Sequence, residues 1–158
     1  MGGVREYSVL GLRFNEKAGC PVLMLQERGN GNAFGIAFSK MTALGALATT
    51  GEESARKRCP RPLSHELTLA LAEAVGFRIE RVVIDRLTAD GIFTAAVEGR
   101  AGEGGETISL DARPSDAIPL AVSAGAPVFV ADEVAAKVDF YPVEDLPYRE
   151  IAPEDLSA

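Results

Sequence analysis

Thr107-Ile108-Ser109-Leu110-Asp111-Ala112-Arg113-Pro114-Ser115-Asp116-Ala117-Ile118-Pro119-Leu120-Ala121 changes its period half-way along. As far as Asp111, the polar residues Thr107, Ser109 and Asp111 alternate with Ile108 and Leu110. That spacing predicts a half-buried strand whose polar face carries the acid. Pro114 ends the strand. Ser115 is then expected to cap a helix, with Asp116 in its first turn, where the helix dipole favours negative charge. Gly125 and Pro127 stand where that helix should stop. Asp111, Arg113, Ser115 and Asp116 thus crowd one strand-to-helix corner, a common place for chemistry on a rigid scaffold. The same residues also make a purely structural set, two capping groups and an Asp111–Arg113 ion pair. Both readings stand at this point.

Downstream of the corner, Val128-Phe129-Val130 reads as a short strand and Asp132 as the cap of a short helix over residues 133–137. From Asp139 onward the chain carries Pro142, Pro147 and Pro153, many acids and few large apolar groups, which predicts a loosely held tail over 139–158. Upstream, residues 6–14 and 21–27 read as strands. Gly29-Asn30-Gly31-Asn32 is a tight-turn signal, and Ala33 to Phe38 is the returning strand. An Ala- and Leu-rich helix is expected from Lys40 to Ala48, closed by Thr49-Thr50-Gly51. Arg56-Lys57-Arg58 and Arg61 follow as a basic loop. Ser64 then caps a helix that ends at Gly76, with Leu67, Ala70, Leu71, Ala74 and Val75 forming one apolar face. Arg78 to Leu87 reads as a central strand, Ile92 to Glu98 as its return, and residues 99–105 as a mobile connection.

Composition sets the outer bounds. At 158 residues the chain is one domain, or a domain over 1–138 with a tail over 139–158, and it can bury a proper core. No apolar run approaches the roughly 18 residues of a membrane span. The first residues lack an apolar signal core, so a cytoplasmic location without membrane partners is expected. Cys20 and Cys59 are far apart and outside any Cys-x-x-Cys pair, and the chain has one His, so a zinc site is not expected. Of the net charge of −7, −6 lies in residues 131–158, where eight acids face Lys137 and Arg149. The body is therefore nearly neutral, and its basic cluster can attract phosphates or simply be a solvated loop.

Two helix starts look alike. Arg61-Pro62-Leu63-Ser64-His65-Glu66 and Arg113-Pro114-Ser115-Asp116 each run Arg-Pro, Ser, then an acid in the first turn. A helix N-terminus beside an arginine can hold a phosphate, and His65 titrates near neutral pH without help. The match of the two starts predicts one ionic cluster in which Asp111, Arg113 and Asp116 meet Arg61 or His65.

These residues also carry a resemblance. Arg61-Pro62-Leu63-Ser64-His65-Glu66-Leu67, followed by Asp111-Ala112-Arg113-Pro114-Ser115-Asp116-Ala117-Ile118, resembles the two motifs of the bifunctional nuclease family, in the same order. The similarity covers roughly residues 7–138. It implies an α+β fold, a twisted and largely antiparallel (mixed) sheet with helices packed against it, in a single domain that forms a homo-oligomer, a dimer or larger. It also implies hydrolysis of DNA and RNA. One departure is visible: where the family carries Ile-Trp-Ile-Gly-x-x-Glu-Ala, this chain has Ile36-Ala37-Phe38-Ser39-Lys40-Met41-Thr42-Ala43, with Thr42 in place of the acid.

Two functions follow from the resemblance and the residues together. In the first, the protein is a metal-dependent nuclease that cuts phosphodiester bonds with little sequence preference. Asp111 and Asp116 would hold a divalent cation, magnesium or manganese, with no organic cofactor. His65, Glu66, Asp111 and Asp116 would be catalytic, and Arg61, Arg113 and Ser115 would bind the nucleic acid. In the second, the domain is a non-catalytic binding or assembly module, and the same residues form an ion-pair and capping network.

Overall fold

The computed structural model describes residues 2–51 and 53–157. It opens with an antiparallel meander of β1 (Val4–Asn15), β2 (Cys20–Glu27) and β3 (Asn32–Ala37). Pro21 to Leu25 are all buried, so β2 is covered on both faces. Three helices follow, α1 (Lys40–Thr49), α2 (Glu53–Lys57) and α3 (Ser64–Ala74). Next come β4 (Phe77–Leu87), β5 (Phe93–Ala101) and β6 (Thr107–Ala112), paired antiparallel in sequence. The chain then crosses by α4 (Pro114–Ala124) to β7 (Val128–Ala131), and α5 (Asp132–Ala135), β8 (Tyr141–Pro142) and β9 (Arg149–Glu150) complete it.

The nine strands of the described residues belong to one sheet, in the order β6-β5-β4-β7-β1-β2-β3-β8, with β9 alongside β1. The crossover through α4 makes β4 and β7 run parallel, and the other pairs are antiparallel. The fold is α+β with a mixed, largely antiparallel sheet, as expected. The sheet is strongly curled. Five steps separate β5 from β3, about 24 Å in a flat sheet at roughly 4.8 Å per strand, yet the rings of Phe93 and Phe34 lie 6.2 Å apart. Tyr7 and Phe140 meet Phe34 edge-on at 5.6 and 5.8 Å, so Phe34 is the hub of the aromatic core.

Several local expectations shift. The caps move by one or two residues. Pro114, whose ring presets a helical φ and which has no N–H to leave unpaired, opens α4, so Arg113 is the cap and Ser115 lies inside the first turn. In α3 the Glu66 carboxylate accepts the Leu63 N–H at 2.8 Å, which makes Leu63 the cap rather than Ser64. Asp132 likewise begins α5 instead of capping it, and its carboxylate accepts the Gly3 N–H at 3.1 Å. Arg56 and Lys57 lie on α2, not in a loop. Residues 99–101 extend β5, because Gly99 has no Cβ to strike the Arg78 carbonyl oxygen, which a Cβ would meet at 2.2 Å.

Two corrections are larger. The apolar stripe on α3 does not face the core: Leu67, Leu71 and Val75 are 56%, 61% and 80% exposed, and no residue of the helix is buried. Among the described residues β6 is an edge strand of the sheet, with Ile108 and Leu110 exposed as well. The segment after Asp139, in contrast, is docked. Phe140, Ile151 and Leu156 pack on the core, Pro153 is buried, and β8 and β9 pair with β3 and β1. Arg149 binds Glu16 and Asp155, and its guanidinium lies 4.6 Å from the Phe14 ring centroid. A few well-placed apolar groups and one arginine hold a segment whose composition looks disordered.

Candidate functional site

The starts of α3 and α4 converge on one cavity of about 390 Å³ beneath the β5–β6 edge. Its floor is apolar, with Phe77, Ile79, Val97, Leu110 and Leu120, and its polar groups are Ser64, His65, Thr68, Asp111 and Asp116. Three of the expected residues are therefore neighbours around one space. They are His65 from α3, Asp116 from α4 and Asp111 from the strand that feeds α4.

His65 is partly buried at the second position of α3. Its Nε2 lies 2.8 Å from the Thr49 hydroxyl at the C-terminus of α1. Burial pushes the imidazole below its ordinary pKa and the Arg56 charge adds to this, while Glu66 opposes it. His65 is thus neutral at neutral pH and able to accept a proton.

Glu66 is fully engaged. Its two carboxylate oxygens accept from Nη1 and Nη2 of Arg56 at 2.9 and 3.0 Å, and one of them also caps Leu63. The Arg56 hydrogen bonds, followed by that backbone N–H, hold its carboxyl below the usual range. Asp116 is closed by its own neighbour: Arg113 donates from Nε to Oδ2 at 2.7 Å and from Nη2 to Oδ1 at 3.1 Å. Each first-turn acid therefore takes an arginine fork from the α2–α3 or the α4 region itself. No carboxylate–guanidinium contact among the described residues joins the two starts, and the single ionic cluster expected from their likeness is replaced by two separate clamps.

The remaining site residues scatter. Asp111 is exposed at the cavity rim, and the Asp111–Arg113 pair is not formed because Arg113 turns to Asp116. Arg113 and Ser115 line a different cavity of about 270 Å³ with Ile36, Phe38 and Ile92. Arg61 is exposed and enters no ion pair among the described residues. Thr42, in the first turn of α1, bonds to Ser39 and lines neither cavity. Among the described residues no three His, Cys, Asp or Glu side chains come together as a metal cluster. Thr49 and Arg56 are the partners that sequence reasoning missed. Thr49 reads only as a helix end and Arg56 only as part of a basic run, and nothing local signals either contact.

The fold and cleft define an α+β domain with one partly buried histidine and two carboxylates around a shared cavity. Residues 23–142 match the bifunctional nuclease domain, and the chain belongs to that family. It is similar to an uncharacterized protein of Mycobacterium tuberculosis, 33% identical over 140 residues that cover 87% of this chain and 76% of that protein. It is also similar to bifunctional nuclease 1 of Oryza sativa subsp. japonica, 32% identical over 78 residues, which cover 49% of this chain and 24% of the rice protein. A bifunctional nuclease of Oryza minuta matches to the same extent. No helix among the described residues is long and apolar enough to cross a membrane.

Proposed function

We propose that the α3–α4 cleft hydrolyses phosphodiester bonds of DNA or RNA with little sequence preference. The observation that carries this reading is a partly buried His65 in a cavity bordered by Asp111 and Asp116, in a chain of the bifunctional nuclease domain family. His65 takes a proton from the attacking water as the water oxygen bonds to phosphorus, the P–O bond to the leaving sugar oxygen breaks with its electron pair going to that oxygen, and the oxygen takes a proton from solvent. Arg61, which has no carboxylate partner among the described residues, meets the phosphate charge. Arg113 can exchange its carboxylate fork for a phosphate of the same bidentate shape. Magnesium or manganese would arrive with the substrate phosphate and be held by Asp111 and Asp116 on the cavity, since magnesium typically uses one or two carboxylates beside phosphate oxygens. No step above runs through it.

The test is cleavage of labelled DNA and RNA with magnesium, manganese or calcium, against a chelator control and a matched Asp116→Asn preparation. Asn keeps the size of Asp and loses its charge. Loss of about a hundredfold in the folded variant supports the reading, that being the scale of one removed stabilising group. Equal cutting by both preparations refutes a role for the corner. If neither cuts under any metal, Thr42→Glu is the rescue to make, and its failure favours the non-catalytic module. One observation already favours that second reading: both first-turn acids are closed by arginine forks.

We further propose that a second copy of the chain covers the outer face of α3 and the β6 edge. Leu67, Leu71 and Val75 form an exposed apolar row on α3, and β6, an edge strand among the described residues, can pair with its own copy across a two-fold axis. Light scattering should show a dimer or larger species, converted to a monomer by Leu71→Glu. A monomer at high concentration in the wild type overturns this.

A further inference from the structure

We infer that Thr49 is the positioning residue for His65: its hydroxyl fixes the proton of the ring on Nε2 and leaves Nδ1 as the basic nitrogen of the cleft. The inference rests on hydrogen-bond counting at one oxygen, and its catalytic meaning rests on the hydrolytic reading above.

The Thr49 Oγ1 has two neighbours, the Gly45 carbonyl oxygen at 2.8 Å and the His65 Nε2 at 2.8 Å. A hydroxyl carries one hydrogen, and a carbonyl oxygen can only accept. The Thr49 proton is therefore committed to Gly45, one turn back along α1, the back-bond common for Thr in helices. Towards His65 the hydroxyl oxygen can then only accept, so Nε2 must carry the hydrogen. In the neutral ring Nδ1 is left with the lone pair, and it makes no hydrogen bond with a described residue. The two contacts fix both the tautomer and the plane of the ring, because Thr49 is itself held by α1.

This arrangement divides labour along the cavity. Thr49 does not touch substrate. It holds the imidazole in one orientation, with Asp116 and Asp111 on the same cavity and with the charges of Glu66 and Arg56 acting on the ring. A general base acts only when its basic atom is the one presented, so a ring that flips or changes tautomer loses rate even while the residue is present. The Thr49-Thr50-Gly51 helix end thereby acquires a second role. Thr50 makes the same back-bond, to Ala46 at 2.9 Å, and binds no histidine, so the back-bond alone does not create the contact.

The chain has one histidine, so its ring is read without ambiguity. In 15N-labelled protein above neutral pH, the long-range proton–nitrogen spectrum should show the Nε2–H tautomer, with an Nε2 proton slowed in its exchange with water. Thr49→Ser should keep that proton and Thr49→Val, of the same shape, should lose it. A ring protonated on Nδ1 in the wild type, or an Nε2 proton unchanged in Thr49→Val, overturns the inference. In the cleavage assay Thr49→Val should lower kcat about tenfold with KM unchanged and Thr49→Ser should restore it, the scale of one neutral hydrogen bond. Unchanged kcat in a folded Thr49→Val overturns the positioning role. If the wild type cleaves nothing, the hydrolytic reading fails, while the spectrum still decides for or against the Thr49–His65 arrangement.

Discussion

The starts of α3 and α4 share a sequence pattern and close their charges in different ways. In α4, Arg113 precedes Asp116 by three residues, a spacing at which side chains on a helix start are neighbours, and the clamp is local. In α3, Arg61 precedes Glu66 by five residues. The fork on Glu66 comes instead from Arg56, ten residues back on α2. The α4 start is thus closed by its own sequence, whereas the α3 start depends on α2 for its acid and on α1 for its histidine. Two residues of spacing separate a self-contained corner from one assembled by tertiary structure, and the titratable group sits in the assembled one.

If the α3 start depends on its surroundings, the largest effect should come from removing what supports them. Ile151 and Leu156 pack, with Phe140, on the core that α1 also joins, and a 3₁₀ turn at Pro153–Leu156 lies against α1. Ending the chain at Asp139 strips these groups. At roughly 1.5–3 kcal/mol for each large apolar side chain when fully buried, even partial burial makes the loss several kcal/mol. Tm should fall by about ten degrees or more, read by circular dichroism. An unchanged Tm would make the segment peripheral after all.

A smaller effect separates the two acids. Glu66→Ala removes a cap and a fork from outside its helix, so stability should drop by about 1 kcal/mol in urea unfolding, the usual scale of a lost helix cap. Asp116→Asn breaks an exposed local pair and should change stability less than Glu66→Ala does. Equal costs at the two positions would erase the distinction between a local and an assembled start.

The smallest effect is electrostatic. The Arg149 fork, with the Ala152 N–H, holds the Asp155 carboxyl down to about 2. The unfolded chain then binds the proton first as pH falls, so this contribution is complete above the ordinary carboxylate value near 3.8 and is lost between there and about 2. Tm measured against pH should fall less steeply through that window in Asp155→Asn than in the wild type. Identical slopes would show that the C-terminal ion pairs do not titrate with folding.

The period change from Thr107 to Ala121, the Asn-Gly turn and the apolar centre of β4 make the strands and helices legible from residues alone, because each rests on local spacing. The convergence of His65 and Asp116 is legible only as a likeness between two motifs, and that likeness misleads about the charges. Partner choice at Glu66 depends on where α2 docks. The outward face of α3 is misread because its stripe is periodic, and periodicity reports that a face will be covered without saying by what. The docked C-terminal segment is misread because a few buried side chains outweigh the composition around them.

The most direct measurement is the pH dependence of kcat/KM for labelled nucleic acid, taken for the wild type and His65→Gln. Burial places the His65 titration below its ordinary value near 6.5. The base form dominates above that point, so the wild-type rate should rise with pH along an acid limb and be flat at neutral pH. His65→Gln should lose both the limb and about a hundredfold or more in rate. A His65→Gln protein that keeps the wild-type rate and the same limb would contradict the assignment of this cleft as the hydrolytic site.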